Sequence, residues 1–356
     1  MRRGVSNIVT IFYAFSKMFT VLFIICLRVA FSASDESDLG YSLSIGNAIN
    51  VFANYGDLSQ VTQVISADYD DDEDEFPEPF SEKNIKVFLN VSSKETLGED
   101  RVEMNILLCE TFDELLDGYF QNFQIEGTDK PWKAFMGDWI QDEIMRTLGI
   151  DVDIARDNCC YVLLKLSKVH KTVKIDSLEQ VAVKSYVEKA MSAMNGSDVA
   201  DIRKFMRSYG THYIDSYVTG NFVYQVFKFK RYGYNMLRSY VRDQKHHTDN
   251  SDRLRSHFAS NFLRQVGDIR LASGNKTIEA WARRNLLDSQ YLYYRPSLLR
   301  LFYNNALILS LNRMLDDGAL LGLSLKTLAP LFKDEEKRRK YVEVVENDMK
   351  LWEVNA

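Results

Sequence analysis

The stretch RSYGTHYIDSYVTGN, residues 207–221, contains a change of hydrophobic period at Gly210. Glycine is the usual residue after the last turn of a helix, because it adopts positive φ readily. Gly210 is therefore suited to end a helix formed by the residues before it. A capping candidate lies at Ser197 or Asp198. After it, apolar residues recur at helical spacing: Val199, Ile202, Phe205, Met206 and Tyr209. The pattern predicts a helix that ends at Gly210.

Downstream of Gly210, apolar and polar residues alternate, which predicts a strand over residues 212–229. At ~3.3 Å per residue this strand would extend about 60 Å, whereas most strands have about five or six residues. A strand of that length has to bend. Gly220 lies near its middle, where the absence of a side chain makes a bend least costly.

The segment Tyr209-Gly210-Thr211-His212-Tyr213, followed after six residues by Gly220, resembles the signature of the membrane-attack-complex/perforin (MACPF) domain. The family pattern continues with a second glycine, and Asn221 occupies that position here. The resemblance covers residues 40–325 and is sharpest between residues 195 and 230. It implies an α+β fold, in which a bent and twisted antiparallel sheet of long strands is flanked by two helical clusters and followed by C-terminal helices.

In pore-forming members of the family, the two clusters refold into membrane hairpins. By position they correspond to residues 111–157, the first cluster, and residues 236–290, the second cluster. A barrel strand needs roughly nine to eleven alternating residues with an apolar outer face. Pro131 interrupts the first cluster, and the second cluster is dense in charge: Asp243, Asp249, Asp252, Arg253 and Arg255. With Asn221 stiffening the bend, these features predict a non-lytic protein; a membrane-inserting effector is the alternative.

The compact, helix-tailed form is similar to MACPF proteins that act outside the cell in arthropod development. This likeness implies a protein that promotes activation, release or presentation of a ligand to a receptor tyrosine kinase during terminal patterning of the embryo. The implied partners are an extracellular ligand or receptor and an eggshell or matrix component. Contact with a membrane surface and homo-oligomer formation stay open, and no nucleic-acid partner is implied.

The N-terminus has the pattern of a secretory signal, residues 1–33. Basic residues precede the apolar run MFTVLFIICL (residues 18–27), and small residues follow it at Ala30, Ser32 and Ala33. An uncleaved anchor is the alternative, but the run is much shorter than the roughly 20 residues that span a bilayer. Cleavage would leave 40 basic and 50 acidic residues, a formal charge of −10. We expect a secreted protein, with a MACPF domain over residues 34–325 and a helical tail over 326–356.

The acidic segment of residues 68–79 contains the run DYDDDEDE, followed by FPEPF. The run lacks the glycine at position six and the glutamate at position twelve of a calcium-binding EF-hand loop. We interpret the segment as a solvated loop, with a metal site or a partner-binding tail as alternatives.

Three cysteines follow the predicted leader: Cys109, Cys159 and Cys160. In an oxidising compartment, one disulfide could join Cys109 to either member of the adjacent pair, with the third thiol left over. Three buried thiols are the alternative. N-glycosylation sequons lie at Asn90, Asn195 and Asn275.

Elsewhere, alternation predicts strands at residues 84–92, 102–109 and 160–169, whereas residues 111–123 and 131–149 have helical spacing. Residues 235–290 and the chain from Ser297 onwards are predicted helical. Asp334 is a candidate cap of the last helix, where Glu335 and Glu336 lie four residues before Arg339 and Lys340.

Basic and aromatic residues alternate over residues 224–242, with no acid among them. Outside the cell such a surface suits an anionic partner, although a solvated edge of the sheet is the simpler interpretation. The basic residues are Lys228, Lys230, Arg231, Arg238 and Arg242.

No pattern of catalytic residues emerges, and no cofactor is expected. His212 fits packing at the corner between helix and strand better than catalysis. His246, His247 and His257 lack the spacing of a zinc site. Cys160 and His170 lie ten residues apart on one predicted strand, too far apart for a thiol–imidazole pair.

Overall fold

A computed structural model describes residues 44–52, 85–136, 140–151, 159–177, 181–196, 198–243, 251–302, 304–315 and 318–355. The predicted leader, the acidic segment of residues 68–79 and the His246–His247 pair therefore lie outside the described residues.

The fold is α+β, and its centre is one 19-residue strand, β7 (His212–Lys230), as the alternation predicts. A second long strand, β6 (Cys159–Ile175), pairs antiparallel with β7 over most of its length. The remaining strands of the described chain are β1 (Asn47–Ile49), β2 (Ile85–Lys86), β3 (Ser93–Leu97), β4 (Glu103–Cys109), β5 (Phe123–Ile125), β8 (Leu263–Val266), β9 (Arg270–Leu271), β10 (Leu287–Asp288), β11 (Arg295–Pro296) and β12 (Ala319–Thr327).

Both edges of β7 are paired. On one edge β1 pairs with the start of β7 and β6 with the rest; on the other, β12 pairs with the first half, and β9 and β8 with the second. Strands β3 and β4 extend the sheet beyond β6, and β2 lies beside β1. Only β5, which runs parallel to β12, departs from antiparallel pairing within the described sheet. Strands β10 and β11 form a separate ribbon.

The helices pack on both faces of this sheet. Phe222 and Tyr224 face the first cluster, where both rings contact Tyr119. Phe227 and Phe229 face the second cluster, where both contact Phe258. The described helices are α1 (Phe112–Tyr119), α2 (Trp132–Phe135), α3 (Gln141–Thr147), α4 (Ser185–Ala193), α5 (Val199–Tyr209), α6 (Arg231–Asp243), α7 (Ser251–Ser256), α8 (Lys276–Asn285), α9 (Asn305–Asn312) and α10 (Glu335–Asn355).

Both neighbours of β7 are irregular where it passes Gly220. On β6, Val169 pairs with Gly220 and Lys171 with Thr219, so His170 is an extra residue. On β12 the register also shifts, between Leu320 and Gly322, opposite the same part of β7. Bulges bend and twist strands. The irregularities on both sides therefore place the bend of the sheet at Gly220.

Several predicted elements differ in the structure. Residues 263–266 and 270–271 are strands rather than helix, because the second half of β7 has an edge that they pair with. Residues 319–327, taken as part of a helical region, are strand β12, which pairs the other half of that edge. The strand predicted at residues 84–92 is confined to Ile85–Lys86, and Leu89, assigned to its apolar face, is exposed.

The predicted C-terminal helix is present as α10, and the carboxylate of Asp334 caps it by accepting from the backbone N–H groups of Glu336 and Lys337. Glu335 pairs with Arg338, one turn away, rather than with the predicted Arg339. Tyr341, Val344 and Val345 are buried against the rest of the fold. Within the described ranges, no helix has the length and apolar character needed to cross a bilayer.

We expect Gly220→Ala to lower the free energy of unfolding by roughly 1–3 kcal/mol, because overpacking a close backbone contact forces strands to move. A Cβ at this position would lie 2.2 Å from the carbonyl oxygen of Lys168. Denaturant titration would measure the loss. Gly118→Ala is the control: it lies in helix α1, and its nearest neighbour would be a flexible leucine methyl at 3.2 Å. Equal effects of the two substitutions would contradict the assignment of Gly220.

Candidate functional site

The candidate site is the corner formed by residues 209–213, together with the bend at Gly220. Asp198 caps the start of helix α5, because its carboxylate accepts from the N–H of Ala200, and Gly210 caps the end, as the sequence predicts. Gly210 has φ +85°, and its N–H donates to the carbonyl of Met206. A Cβ there would also lie 3.1 Å from Ala48 Cβ. The site therefore requires glycine for conformation and for space.

Thr211 connects the corner to three other parts of the chain. Its N–H donates to Ile49 O at 2.9 Å, and its hydroxyl accepts from the N–H of Val51 at 3.0 Å. Its carbonyl accepts both from the N–H of Leu328 at 3.1 Å and from the hydroxyl of Tyr341 at 2.8 Å. Because Thr211 and Tyr341 are fully buried, water cannot replace these bonds.

His212 is buried and neutral. Its Nε2 lies 2.8 Å from the carbonyl oxygen of Glu126, which can only accept, so Nε2 carries the proton. Its Nδ1 lies 3.0 Å from the hydroxyl of Thr211 and accepts from it. Burial lowers the pKa of His212 to about 4. With both nitrogens bonded and no access to solvent, the imidazole holds the strands together.

The two tyrosines of the signature pack on either side of the corner. Tyr213 is buried with its ring against Phe88, at a centroid distance of 5.6 Å in an edge-to-face arrangement. Burial raises the pKa of the Tyr213 hydroxyl. Tyr209 stacks on Tyr186 of helix α4. These contacts fix the last turn of α5 against the start of β7.

Asn221 stiffens the bend. It is fully buried, and its Nδ2 donates to the hydroxyl of Ser273 at 3.0 Å, while its Oδ1 accepts from the N–H of Ser273 at 3.4 Å. Ser273 belongs to the second cluster, directly after β9. The side chain of Asn221 therefore ties the central strand to the second cluster next to Gly220. A glycine would make neither bond.

The three cysteines are free thiols. Cys109 pairs in register with Tyr161, so the adjacent Cys160 points to the opposite face of the sheet. A bridge from Cys109 to Cys160, one of the possibilities that the sequence leaves open, does not fit this register, and none joins Cys109 to Cys159. Burial raises the pKa of Cys109 to about 12.

The predicted basic patch is not a free cationic surface. Arg231 and Arg238 both pair with Glu110, a residue far away in sequence. The others are also engaged or buried: Lys228 is buried, the ammonium of Lys230 donates to Asn261 O, and Arg242 pairs with Asp243. The solvated-edge interpretation describes the four exposed residues, whereas the buried Lys228 fits neither interpretation.

Other predicted sites are separate from the corner. Asn90 and Asn195 are exposed, and Asn275 caps helix α8 by accepting from the N–H of Thr277. His170 Nε2 lies 3.0 Å from Leu315 O, and it shares strand β6 with Cys160 at ten residues' distance. His257 stacks against Tyr240. No cluster of metal-ligating side chains occurs among the residues that the structure covers.

An open cavity of about 610 Å³ lies beside the corner, next to Glu126. Asp117, Asp129 and Lys326 line it together with Phe123 and Trp132. Its charged residues are exposed, and no described arrangement there indicates a reaction.

Sequence reasoning missed three partners of the site: Glu126, Ser273 and Tyr341. Only Tyr341 has a local signal, because it lies three and four residues before Val344 and Val345 and so begins an apolar helical stripe. Glu126 contacts His212 through its backbone carbonyl, and a contact of a backbone group cannot be recognised from the residue type.

No family model and no curated protein matches this chain. Among solved structures, it is similar to GNIP1Aa from Chromobacterium piscinae, with a TM-score of 0.42, 11% identity, and coverage of 73% of this chain and 47% of that one. A putative cell invasion protein with a MAC/perforin domain from Bacteroides thetaiotaomicron has a TM-score of 0.34, 11% identity, and coverage of 72% and 52%. Vertebrate astrotactin-2, a perforin-like membrane protein involved in neuronal development, has a TM-score of 0.34, 11% identity, and coverage of 88% and 46%. This chain spans about half the length of these proteins.

We expect the stability of the protein to fall as the pH is lowered from 6.5 to 4, because the unfolded chain binds a proton at His212 that the folded chain excludes. This contribution is fully present above pH 6.5 and amounts to about 3 kcal/mol over that window. Denaturant titration at a series of pH values would compare wild type with His212→Gln, which cannot titrate there. Parallel stability curves for the two proteins would contradict the buried, neutral assignment.

Proposed function

We propose that this chain is a secreted, non-catalytic and non-lytic protein with the MACPF fold, which acts in extracellular signalling. The support for the fold is the Tyr209–Tyr213 corner, the long bent strand that follows it, and helical clusters on both faces of the sheet. The support for a non-catalytic role is the engagement of His212 in buried hydrogen bonds.

In this proposal the protein works like the arthropod torso-like protein, which its compact, helix-tailed form resembles. Torso-like acts with the cysteine-knot ligand Trunk upstream of the Torso receptor tyrosine kinase and associates with the vitelline membrane of the eggshell. By this analogy, the chain promotes activation, release or presentation of a Trunk-like ligand to a Torso-type receptor in embryonic terminal patterning.

The single observation that carries the non-lytic role is the pair of hydrogen bonds between Asn221 and Ser273. Opening the sheet at its bend would require release of the second cluster. Release would break both bonds and leave the buried amide of Asn221 without the partner that it has in Ser273. The cluster is further held by Gln225, whose amide nitrogen donates to the carbonyls of Gly267 and Pro296. Polar contacts therefore fasten the cluster beside the bend.

A dye-release assay on liposomes tests this proposal, because we expect purified protein to cause no leakage. In a variant with Lys228→Cys and Gln265→Cys, an engineered disulfide would hold β8, in the second cluster, to β7. The two residues are direct cross-strand partners on these strands. The oxidised variant should signal as well as its reduced form. Dose-dependent leakage by wild type that the engineered disulfide abolishes would overturn the non-lytic proposal.

A membrane-perturbing effector is the second candidate, and Lys165 favours it. Lys165 is buried beneath the first cluster, with its Nζ 4.2 Å from the centre of the Phe222 ring and 3.3 Å from the carbonyl of Tyr119. No ion pair to a carboxylate accompanies it within the described residues. Burial lowers the pKa of Lys165 to about 8, so it is charged at neutral pH and weakens the contact between cluster and sheet.

We expect Lys165→Met to raise the free energy of unfolding by about 1–3 kcal/mol at pH 7, because methionine fills the site without a buried charge. The pKa of Lys165 is lower in the folded than in the unfolded chain, so wild type gains stability as the pH rises from 8 towards 10.4. The difference in free energy of unfolding between the variant and wild type should therefore shrink over this range. Thermal unfolding at several pH values would measure it. Lys168→Met is the control, because Lys168 is also buried but pairs with Asp100, and its loss should not stabilise. A neutral or destabilising Lys165→Met would remove the support for this candidate.

A further inference from the structure

The turn between β10 and β11 presents two tyrosines in a strained backbone. Tyr293 and Tyr294 have φ of 49° and 63°, the only positive values at non-glycine residues in the part of the chain that is described. Their side chains are 80% and 71% exposed. Such conformations cost about 1 kcal/mol or more each and persist where the surroundings impose them, often at functional sites. Neither ring is needed for the core.

A buried ion pair holds this turn from below. Asp288 is 1% exposed, and its Oδ2 accepts from Arg255 at 2.9 Å. Its Oδ1 accepts from the N–H groups of Gln290 and Tyr291, and its carbonyl accepts from the N–H of Tyr294 at 2.8 Å. One aspartate thus fixes both ends of the turn. The contacts of Asp288 fix the backbone of the turn, and the rings of Tyr293 and Tyr294 remain exposed at the surface.

The sequence around the turn is poor in acids, although Asp252, whose carbonyl accepts from the hydroxyl of Tyr291, lies beside it and pairs with Arg255. Between residues 281 and 300 the only acid is Asp288, which is buried and neutralised by Arg255. Arg284 and Arg295 are exposed, and neither forms an ion pair with any described residue. Leu287, on the strand paired with β11, is 41% exposed. The surface therefore combines aromatic rings, an aliphatic side chain and uncompensated guanidinium groups.

We infer that the Tyr293–Tyr294 turn docks the protein peripherally on an anionic lipid surface. The tyrosine rings lie at the depth of the headgroups, where their apolar body and polar hydroxyl are both accommodated. Arg295 and Arg284 bind lipid phosphates, for which the guanidinium fork is suited. The contact is reversible and does not involve refolding of either helical cluster.

A lipid surface fits this turn better than a protein partner does. Two tyrosine side chains cover roughly 300–500 Å², whereas each partner in a stable protein interface buries about 800 Å². A projecting two-residue tip would need a matching pocket in a protein, but a bilayer interface has no fixed shape to match. Each arginine near an anionic bilayer adds about 1 kcal/mol. This inference goes beyond the proposed signalling function and does not depend on it.

Co-sedimentation with vesicles tests the inference on the full chain. We expect wild type to bind vesicles of phosphatidylcholine with phosphatidylserine, more weakly at high salt, and not vesicles of phosphatidylcholine alone. The double variant Tyr293→Gly and Tyr294→Gly should bind at least about tenfold more weakly. Glycine adopts positive φ without strain, so this variant should fold at least as stably as wild type. Tyr232→Ala is the matched control, because Tyr232 is 69% exposed but lies on helix α6, and its loss should leave binding unchanged.

Equal vesicle binding by wild type and the double glycine variant would overturn the inference, and so would the absence of wild-type binding to either vesicle. Loss of signalling in the glycine variant without vesicle binding by wild type would assign the turn to a protein partner instead. Dye retained inside the bound vesicles separates docking from perforation. Leakage would count against the non-lytic proposal while leaving the docking turn in place.

Discussion

The buried hydrogen bonds of Thr211 and His212 are the constraint on which the architecture depends. They join the start of β7 to β1, to the carbonyl of Glu126 after β5, to the end of β12 and to helix α10. Thr211, His212 and Tyr341 are fully buried, so a bond lost from any of them leaves a polar atom unsatisfied at a cost of about 1–3 kcal/mol. The arrangement is therefore specified jointly by segments from the whole length of the described chain.

The bend at Gly220 depends on irregularities in both strands that pair with β7 there. A strand of 19 residues stays paired on both edges because its neighbours each insert an extra residue near Gly220. On β6 it lies between the partners of Gly220 and Thr219, and on β12 between those of Thr219 and Val218. Gly220 allows the backbone of β6 to approach, and Asn221 adds polar contacts to the second cluster. The same neighbourhood that permits curvature also restricts movement, whereas on the opposite face the first cluster covers a buried lysine, Lys165. The two clusters thus contact the sheet through different polar groups, an amide at Asn221 and a buried ammonium at Lys165.

Local periodicity is sufficient to predict the helix that ends at Gly210 and the strand that follows it, because both patterns are long and Gly210 separates them. It fails for β8, because the spacing of Phe258, Phe262 and Val266 fits helix, whereas the segment forms a strand against the edge of β7. It fails for β12 for the same reason, since its pairing partners lie about 100 and 200 residues earlier. The pairing of Glu110 with Arg231 and Arg238, which neutralises the predicted patch, is equally invisible to local analysis.

The order of the elements, with β12 and α10 about a hundred residues after β7, has a consequence for biosynthesis. Until residues 319–327 leave the ribosome, the first half of β7 has an open edge, and the carbonyl of Thr211 lacks both of its donors. Contacts of such long sequence separation form late and slowly, and unpaired strand edges favour association with other chains. The nascent protein is therefore most vulnerable to misassembly at this edge of β7 between the emergence of β7 and that of β12 and helix α10.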